Sequence, residues 1–227
     1  CVLHDESIKT ESLRNRRLKE GNDTGKCELN YLFVIFRTPN MWHSPLLALS
    51  LLVSSLFVTE VFAETDAGTI DKIKSAIADE RRPDANRARD KNRKPLETLQ
   101  FLGLKEDMRV LELMPGGGWY TRLLAPVLND NGQLYLSIFA ERAANALEGQ
   151  SGFENMSLIP FDRARISRPE GSRQMNVPPF SFGVKKLDMV VTFRNQHNFT
   201  TEGRKNLNQA VFDSLKKGGL YGVIDHT

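Results

Sequence analysis

Apolar residues between positions 64 and 103 have the spacing of short amphipathic helices. In the stretch from Thr69 to Glu80, apolar side chains recur every three or four residues, at Ile70, Ile73, Ala76 and Ile77. This period predicts a helix with one buried face, which Pro83 ends. Residues 84–92 are strongly charged and helix-permissive, and Pro95 begins a further helix over 96–102. Residues 64–103 are therefore predicted to form an N-terminal helical cap.

Beyond residue 104, short apolar segments alternate with helical ones. Strands are predicted over Met108–Leu113, Gln133–Ile138, Met156–Pro160, Leu187–Phe193 and Leu220–Ile224. Helices are predicted over Tyr120–Leu128, Ala140–Leu147 and Thr201–Leu215, and residues 163–183 are predicted to form a long loop. Because strands alternate with helices, residues 104–227 are predicted to form an α/β domain, with a mostly parallel sheet covered by helices on both faces.

The fifth predicted strand ends close to Thr227, the last residue of the sequence. A doubly wound sheet ordinarily continues with further helices and strands, and a strand without its next partner exposes backbone donors and acceptors. We therefore expect the natural protein to continue, so that the sheet is truncated after the fifth strand.

An apolar run before residue 64 has the features of an export signal. The sequence begins with Cys1, and Met41 is the better start. The apolar run Leu46–Val58 is followed by residues 61–63, Val-Phe-Ala, which are small or β-branched at the two positions that a signal peptidase reads. The run is shorter than the roughly 20 apolar residues that a membrane span needs. It predicts a cleavable signal peptide over 41–63 and an exported protein, periplasmic or secreted, without a stable membrane span after cleavage.

An uncleaved signal anchor is the alternative. The stretch that begins at Met41 has no Lys or Arg before the apolar run, and Tyr31 to Phe36 is a second short apolar stretch. Residues 1–40 otherwise show no sustained period. They are predicted to be an upstream segment outside the mature protein, and no function is assigned to them.

The charge gives no indication of a nucleic-acid or membrane partner, and the cysteine positions exclude two kinds of site. The formal net charge is +3, from 31 basic and 28 acidic residues, which is too mild to indicate a nucleic acid or an anionic membrane surface. Both cysteines, Cys1 and Cys27, precede the predicted signal peptide. The domain after residue 63 therefore has neither a disulfide framework nor a cysteine-based metal site.

The turn after the first predicted strand carries the clearest candidate chemistry. It reads Glu-Leu-Met-Pro-Gly-Gly-Gly-Trp-Tyr, from Glu112 to Tyr120. Glycines allow a sharp turn and the close approach of a ligand, and the helix that follows offers unpaired N–H groups. The Gly-Lys-Ser/Thr ending of a Walker A loop and the spacing of the dinucleotide fingerprint are both absent. The alternative is a tight strand-to-helix turn without a ligand.

Three motifs, in order, resemble those of class I S-adenosylmethionine-dependent methyltransferases. Glu112-x-Met114-x-Gly116-x-Gly118 resembles the family's Asp/Glu-x-Gly-x-Gly-x-Gly loop, with Met114 in place of the first glycine. Residues 187–198 resemble the fourth-strand motif that flanks the methionine moiety, and Leu-Lys-Lys-Gly-Gly within 212–226 resembles the entry to the fifth strand. Arg89-Asp90, Gly-Gly-Gly-Trp-Tyr-Thr and Phe-Arg-Asn-x-His-Asn are also similar to a group of bacterial, often exported, predicted methyltransferases of undefined substrate.

The resemblance covers residues 84–227 and implies fold, cofactor and site. The implied fold is a Rossmann-like, doubly wound, mostly parallel sheet, and the implied activity is methyl transfer from S-adenosylmethionine to a small-molecule or otherwise unknown acceptor. The cofactor-binding residues that it implies are Glu112, Met114, Gly116, Gly118, Tyr120, Asp162, Arg194 and Asn195. For Trp119, packing of the helix on the sheet is the simpler interpretation. For Asp162, a surface aspartate is equally plausible.

Polar residues also cluster at the predicted carboxyl edge of the sheet, where α/β folds bind ligands. His197 and Asn195 are the candidate catalytic residues. Asn195 would hold the methionine portion of the cofactor, and His197 would act as a general base or orient a nucleophile. A helix cap and a hydrogen-bonded structural histidine are the alternatives. Asp225 and His226 end the fifth strand at the same edge, but a metal site would need more ligands. Arg89, Asp90 and Arg93 are predicted to form either a lid or an exposed ion-pair network.

Two departures from the family pattern keep other functions open. Met114 replaces a glycine, and the second strand lacks the acidic residue that usually holds the ribose; Ser137 stands near that position, and Glu141 is the nearest carboxylate. With the predicted export, these departures leave a non-catalytic binding protein of the same fold as the first alternative. A nicotinamide-dependent oxidoreductase ranks lower because its glycine spacing is not matched.

Overall fold

The computed structural model describes residues 31–37 and 65–226, whose six strands form one sheet. The strands are β1 (Tyr31–Arg37), β2 (Arg109–Leu113), β3 (Gln133–Ser137), β4 (Met156–Leu158), β5 (Leu187–Phe193) and β6 (Leu215–His226). They lie in the order β1-β6-β5-β2-β3-β4, and all neighbouring pairs are parallel except β1 with β6. The predicted Rossmann-like, mostly parallel sheet is confirmed. The strand order reverses between β2 and β5, and that switch point is where ligands bind in such sheets.

Helices cover both faces of the sheet, because its central strands are apolar on both sides. The helices are α1 (Ala67–Ala78), α2 (Asp84–Arg87), α3 (Asp90–Arg93), α4 (Pro95–Phe101), α5 (Thr121–Leu128), α6 (Glu141–Leu147) and α7 (Thr201–Ser214). One core cluster combines the sheet with buried residues of α1, α4, α5 and α6. The other combines it with α7 and with Met175, Val177 and Phe182 of the loop between β4 and β5. None of the helices in the described ranges is long and apolar enough to cross a bilayer.

The helical cap, α1 to α4, is attached to the sheet domain by polar contacts as well as by its core. Asp66 caps α1 by accepting a hydrogen bond from the backbone N–H of Thr69 (2.9 Å). The Thr69 hydroxyl accepts the N–H of Glu106 (3.1 Å), just before β2. Lys72 forms ion pairs with Glu106 (2.6 Å) and Asp130 (2.7 Å). These contacts hold the cap against the domain whose carboxyl edge it borders.

The fifth parallel strand, β6, has a partner on its outer edge. The backbone of β1 pairs with β6 in antiparallel register, from Tyr31 opposite His226 to Arg37 opposite Leu220. The sequence did not predict β1, because an uninterrupted apolar run has no period that separates a strand from other structures. The predicted signal peptide over 41–63 lies outside the described residues.

Element boundaries differ from the predicted ones in two places. The charged stretch 84–92 forms two separate turns, α2 and α3, and Lys94 adopts a left-handed backbone (φ 43°) that separates α3 from α4. The residue before a proline disfavours the helical region, which explains this break before Pro95. Strand β6 begins at Leu215 rather than Leu220, and its register against β5 shifts between Leu187 and Met189. The predicted loop 163–183 contains one short 3-10 turn, Arg163–Arg165.

Candidate functional site

A cleft of about 230 Å³ lies at the switch point, between the sheet edge and the helical cap. The cap contributes Asn86, Arg89 and Arg93 to its lining. The end of β2 and the loop after it contribute Glu112, Met114, Pro115, Gly116, Gly117, Trp119 and Tyr120, and the end of β5 contributes Phe193 and Asn195. The cleft therefore combines one carboxylate, two guanidinium groups and three aromatic rings.

The loop after β2 has the backbone of a glycine-rich turn even where it has a methionine. Met114, Gly116 and Gly118 all have positive φ, of 53°, 60° and 77°. A side chain in this region costs about 1 kcal/mol relative to glycine, so Met114 occupies a position that favours the glycine it replaces. The positions where a Cβ would stand on Gly116 and Gly117 meet no atom within 4 Å. The backbone of both glycines is therefore accessible from the cleft.

Glu112, the last residue but one of β2, is the buried acid of the cleft. Its side chain is almost fully buried, and its Oε2 accepts a hydrogen bond from the Thr121 hydroxyl at the start of α5 (2.6 Å). Burial raises the pKa of Glu112 to about 7, against smaller opposing effects of the Thr121 hydrogen bond and the Arg93 charge. A carboxylate that is this poorly solvated gains from any cation that enters the cleft.

Trp119 joins the loop to the cap. Its indole Nε1 donates to the backbone oxygen of Asn86 (3.0 Å), and its ring is buried. The guanidinium carbon of Arg93 lies 4.5 Å from the ring centroid, and that of Arg82 lies 5.4 Å away. Trp119 therefore packs, as predicted, but against the cap, and it also lines the cleft.

The charged residues of the cap form two groups, one paired within the cap and one facing the cleft. Arg82 is buried and forms a bidentate ion pair with Asp90 (2.8 and 2.7 Å), so Asp90 has a structural partner outside the cleft. Arg89 and Arg93 instead line the cleft. The cap thus contains an ion pair and also covers part of the site.

Two residues at the end of β5 complete the wall of the cleft. Phe193 stacks on Tyr120 with ring centroids 3.5 Å apart and planes 11° apart. The amide nitrogen of Asn195 donates to the Met114 carbonyl (3.3 Å) and to the Thr192 hydroxyl (3.2 Å). Asn195 thereby joins the end of β5 to the loop after β2. Because its amide hydrogens are directed at the protein, Oδ1 is the atom that it offers to a ligand.

Three of the predicted cofactor residues lie outside the cleft lining. Gly118 is buried, and a Cβ on it would lie 3.4 Å from the Ala143 side chain and 3.5 Å from the Leu147 side chain of α6. The Asp162 carboxylate accepts the N–H of Ala164 (2.9 Å) and caps the 3-10 turn. Arg194 is exposed, and its backbone N–H donates to Ile224.

The end of β3 carries Ser137, and Glu141 is the nearest carboxylate after it. Ser137 is fully buried, and its hydroxyl donates to the Ile159 carbonyl (3.1 Å). Glu141 forms an ion pair with Arg163 (2.7 Å), whose guanidinium lies 5.0 Å from the Phe139 ring. Both groups therefore have protein partners, and neither lines the cleft.

His197 also lies outside the cleft lining, two residues beyond Asn195. Its Nδ1 is 2.7 Å from Oδ1 of Asp225, and its backbone N–H donates to Oδ2 of the same carboxylate (3.0 Å). About half of the His197 side chain is exposed (52%), whereas Asp225 is buried (9%). Within the described residues, no group of three potential metal ligands comes together.

Thr121, Asn86 and Phe193 were not among the predicted site residues. Asn86 and Phe193 belong to distant segments, and only the packed fold brings them to the cleft. Thr121, nine positions after Glu112, does not line the cleft but donates a hydrogen bond to the Glu112 carboxylate. The sequence signal that points to Thr121 is a hydroxyl in the first turn of the helix that follows the glycine loop.

Comparison with known proteins gives structural neighbours only. A SAM-dependent methyltransferase from Aquifex aeolicus is 18% identical, over 69% of this chain and 72% of that one, with a TM-score of 0.44. A SAM-dependent O-methyltransferase from Thermotoga maritima is 17% identical, over 68% and 49%, with a TM-score of 0.41. Coclaurine N-methyltransferase bound to N-methylheliamine and SAH is 11% identical, over 70% and 43%, with a TM-score of 0.44. The chain thus spans less than half of the second and third proteins. No protein-family model matches it, and the comparison with curated proteins found no relative.

Proposed function

We propose that this protein is an S-adenosylmethionine-dependent methyltransferase whose acceptor is unknown. One observation carries the proposal: a buried carboxylate, Glu112, and two guanidinium groups, Arg89 and Arg93, line a single cleft at the switch point of the sheet. An amino-acid end with both an ammonium and a carboxylate matches this pair of charges. The sequence resemblance of the same loop to the family supports the assignment.

The residues present fit one end of the cofactor better than the other. Glu112 would accept hydrogen bonds from the ammonium of the methionine portion, and Arg89 and Arg93 would pair with its carboxylate. The accessible backbone of Gly116 and Gly117 allows the close approach that a nucleoside needs. At the ribose end, Ser137 and Glu141 already have protein partners. Ribose recognition would therefore depend on other contacts.

The chemistry that the bound cofactor supplies is a methyl group made electrophilic by the adjacent sulfonium. The protein then contributes mainly position. The stacked rings of Tyr120 and Phe193 form an apolar wall that excludes water, and Oδ1 of Asn195 is an acceptor at the end of β5. Holding two reactants in line in this way accounts for a large part of a transfer rate without any covalent step on the enzyme.

Calorimetric titration with S-adenosylmethionine and S-adenosylhomocysteine tests the proposal. We expect Arg89→Met and Arg93→Met each to weaken binding ten- to a hundredfold, because a charge-assisted hydrogen bond is worth about 1.5–3 kcal/mol. Lys91→Met is the matched control, since Lys91 is exposed on the same helix and does not line the cleft. The proposal is abandoned if neither ligand binds the wild-type protein.

A non-catalytic binding protein of the same fold is the second candidate. The specific observation in its favour is the end of β3, where Ser137 and not a carboxylate stands at the ribose position. Binding of both ligands without methyl transfer to any compound of a bacterial extract would support this candidate. A radiolabelled methyl group makes the transfer measurable without knowledge of the acceptor.

We also propose that the protein is exported with the signal peptide at residues 41–63. The support is the apolar run Leu46–Val58 and the Val-Phe-Ala sequence that follows it. Expression from Met41 in a Gram-negative host should yield a periplasmic form whose first residue, by mass spectrometry, is Glu64. A membrane-bound form that retains residues 41–63 would instead support the uncleaved anchor.

A further inference from the structure

A histidine and a buried aspartate are joined at the carboxyl edge of the sheet, beside the cleft. The Asp225 carboxylate accepts two hydrogen bonds from His197, one with Nδ1 (2.7 Å) and one from the backbone N–H (3.0 Å). Two bonds from one residue to one carboxylate fix both the position of the loop and the plane of the imidazole. The ring is nevertheless half exposed, so it is held in place but not enclosed.

We propose that His197, oriented by Asp225, is the general base that takes the proton from a hydroxyl acceptor, so that the enzyme forms methyl ethers. The inference rests on the proposed function, because it concerns the acceptor of the same methyl transfer. In this pair His197 is the catalytic residue, and Asp225 is a positioning residue that acts through it.

The hydrogen bond to Asp225 determines which ring nitrogen can act. A carboxylate only accepts hydrogen bonds, so Nδ1 of His197 carries the proton in the neutral ring, and Nε2 carries the lone pair. A base needs this tautomer, with its lone pair directed away from the residue that orients it. The tautomer is therefore set by the fold and not by the acceptor.

The chain positions the pair next to the reacting end of the cleft. His197 follows Asn195 by two residues, and Asn195 both lines the cleft and bonds to the Met114 carbonyl. Asp225 ends β6, which neighbours β5 in the sheet. Both groups consequently stand at the edge where the proposed cofactor would present its methionine end. An acceptor that approaches from the solvent side would meet the exposed imidazole there.

A hydroxyl acceptor is the class that needs such a base. The acceptor oxygen forms a bond to the methyl carbon, the bond from that carbon to sulfur breaks with its electrons going to sulfur, and the hydroxyl proton goes to Nε2 of His197. A neutral amine can attack before it loses a proton, so it gains less from a base. Phenols and enols, with pKa values of about 10, are closer to an imidazole than aliphatic alcohols are.

His197 is also joined to the loop before β5, because its carbonyl accepts a hydrogen bond from the neutral Gln174 side chain (3.3 Å). Arg194, three residues earlier, is the nearest charged residue along the chain.

Nitrogen-15 NMR of the full chain tests the pair without any acceptor. The sequence has four histidines, and the signal lost in His197→Gln identifies the one in question. At pH 8 we expect its Nδ1–H tautomer to predominate in the wild type and to be lost in Asp225→Asn. Asp213→Asn is the matched control, because Asp213 is an exposed aspartate on α7. A wild-type ring with its proton on Nε2 overturns the proposal.

Methyl transfer from S-adenosylmethionine to matched phenols and anilines tests the acceptor class. We expect transfer to phenols, and a loss of about 10²–10⁴-fold at pH 7 in both His197→Gln and Asp225→Asn. The rate of His197→Gln should rise with pH and converge on the wild-type rate near pH 10, because a phenolate needs no base. A purely structural role for His197 would not produce this convergence.

Binding of S-adenosylhomocysteine distinguishes a failure of the proposed methyltransferase function from a failure of the hydroxyl-acceptor proposal. We expect His197→Gln and Asp225→Asn to bind it within about twofold of the wild type. A wild-type protein that binds no cofactor overturns the proposed function, and this proposal with it. Two results, each with normal cofactor binding, would overturn only the hydroxyl proposal. One is transfer to anilines but to no phenol, and the other is equal pH profiles for His197→Gln and the wild type.

Discussion

Glu112→Gln is expected to raise the free energy of unfolding by about 3 kcal/mol at pH 8 and to change it little at pH 4.5. Burial raises the pKa of Glu112 from 4.5 to about 7, and each unit of pKa difference corresponds to about 1.4 kcal/mol. Between pH 4.5 and about 7 the Glu112 carboxyl keeps its proton in the folded protein, whereas it loses this proton in the unfolded chain. The contribution of Glu112 to stability is therefore fully present below pH 4.5, and it falls as the pH rises towards 7.

Urea denaturation of the wild type and Glu112→Gln, at intervals from pH 4.5 to 8.5, measures this difference. The difference between the two proteins is the informative quantity, because other carboxyls titrate equally in both. Glu80→Gln is the matched control, since the Glu80 side chain is exposed and no wall of the cleft includes it. If the difference in the free energy of unfolding stays constant with pH, the pKa of Glu112 is the same in the folded protein and in the unfolded chain, and the prediction is wrong.

Glu112→Gln should stabilise the fold but weaken cofactor binding. At pH 8 we expect a ten- to hundredfold loss of affinity for S-adenosylhomocysteine, because a charge-assisted bond to the ammonium is lost. In the wild type, affinity should fall by a similar ten- to hundredfold as the pH drops below 7, since the carboxyl then carries a proton. A residue that destabilises the fold but strengthens binding is what a functional site is expected to contain.

The parts of the fold that could be predicted are those with a local signal. The bounds of β5 agree with the predicted strand at Leu187–Phe193, because an apolar segment buried on both faces has a clear start and end. The start of β6 was predicted five residues too late, because Lys-Lys-Gly-Gly has the composition of a turn, although it continues the strand through a register shift. β1 could not be predicted, since its apolar run has no distinguishing period and its partner β6 is distant along the chain.

In the candidate site, too, the residues with a local sequence signal could be predicted, and those that depend on packing could not. Glu112, Met114 and Gly116 were predicted from one short loop, and the structure brings all three to the cleft. Asp162 was assigned to the cofactor from its place after a strand, but an aspartate also bonds readily to nearby backbone, and here it caps the turn that follows it. The stack of Phe193 on Tyr120 depends on how α5 packs against the sheet, which no local pattern contains.

Trp119→Ala is expected to lower the free energy of unfolding by about 3–5 kcal/mol and to loosen the cap over the cleft. Truncation of a buried tryptophan removes its packing and leaves a cavity. Here it also removes the hydrogen bond to Asn86 and the ring beneath Arg82 and Arg93. The cap would then lose the residue through which α2 and α3 contact the glycine loop. Urea denaturation gives the stability change, and trypsin cleavage after Arg87 and Arg89 reports separately on the cap.

Trp119→Phe separates the ring from its N–H group. It keeps an aromatic surface beneath the arginines but removes the hydrogen bond to Asn86 and one ring of the buried indole, so we expect a loss of about 1–3 kcal/mol, smaller than in Trp119→Ala. Cleavage of the cap should then be much slower than in Trp119→Ala, and cofactor affinity should stay close to that of the wild type. If Trp119→Ala instead lost less than about 1 kcal/mol, with tryptic cleavage unchanged, the cap would be held mainly by α1 and by its ion pairs with Glu106 and Asp130.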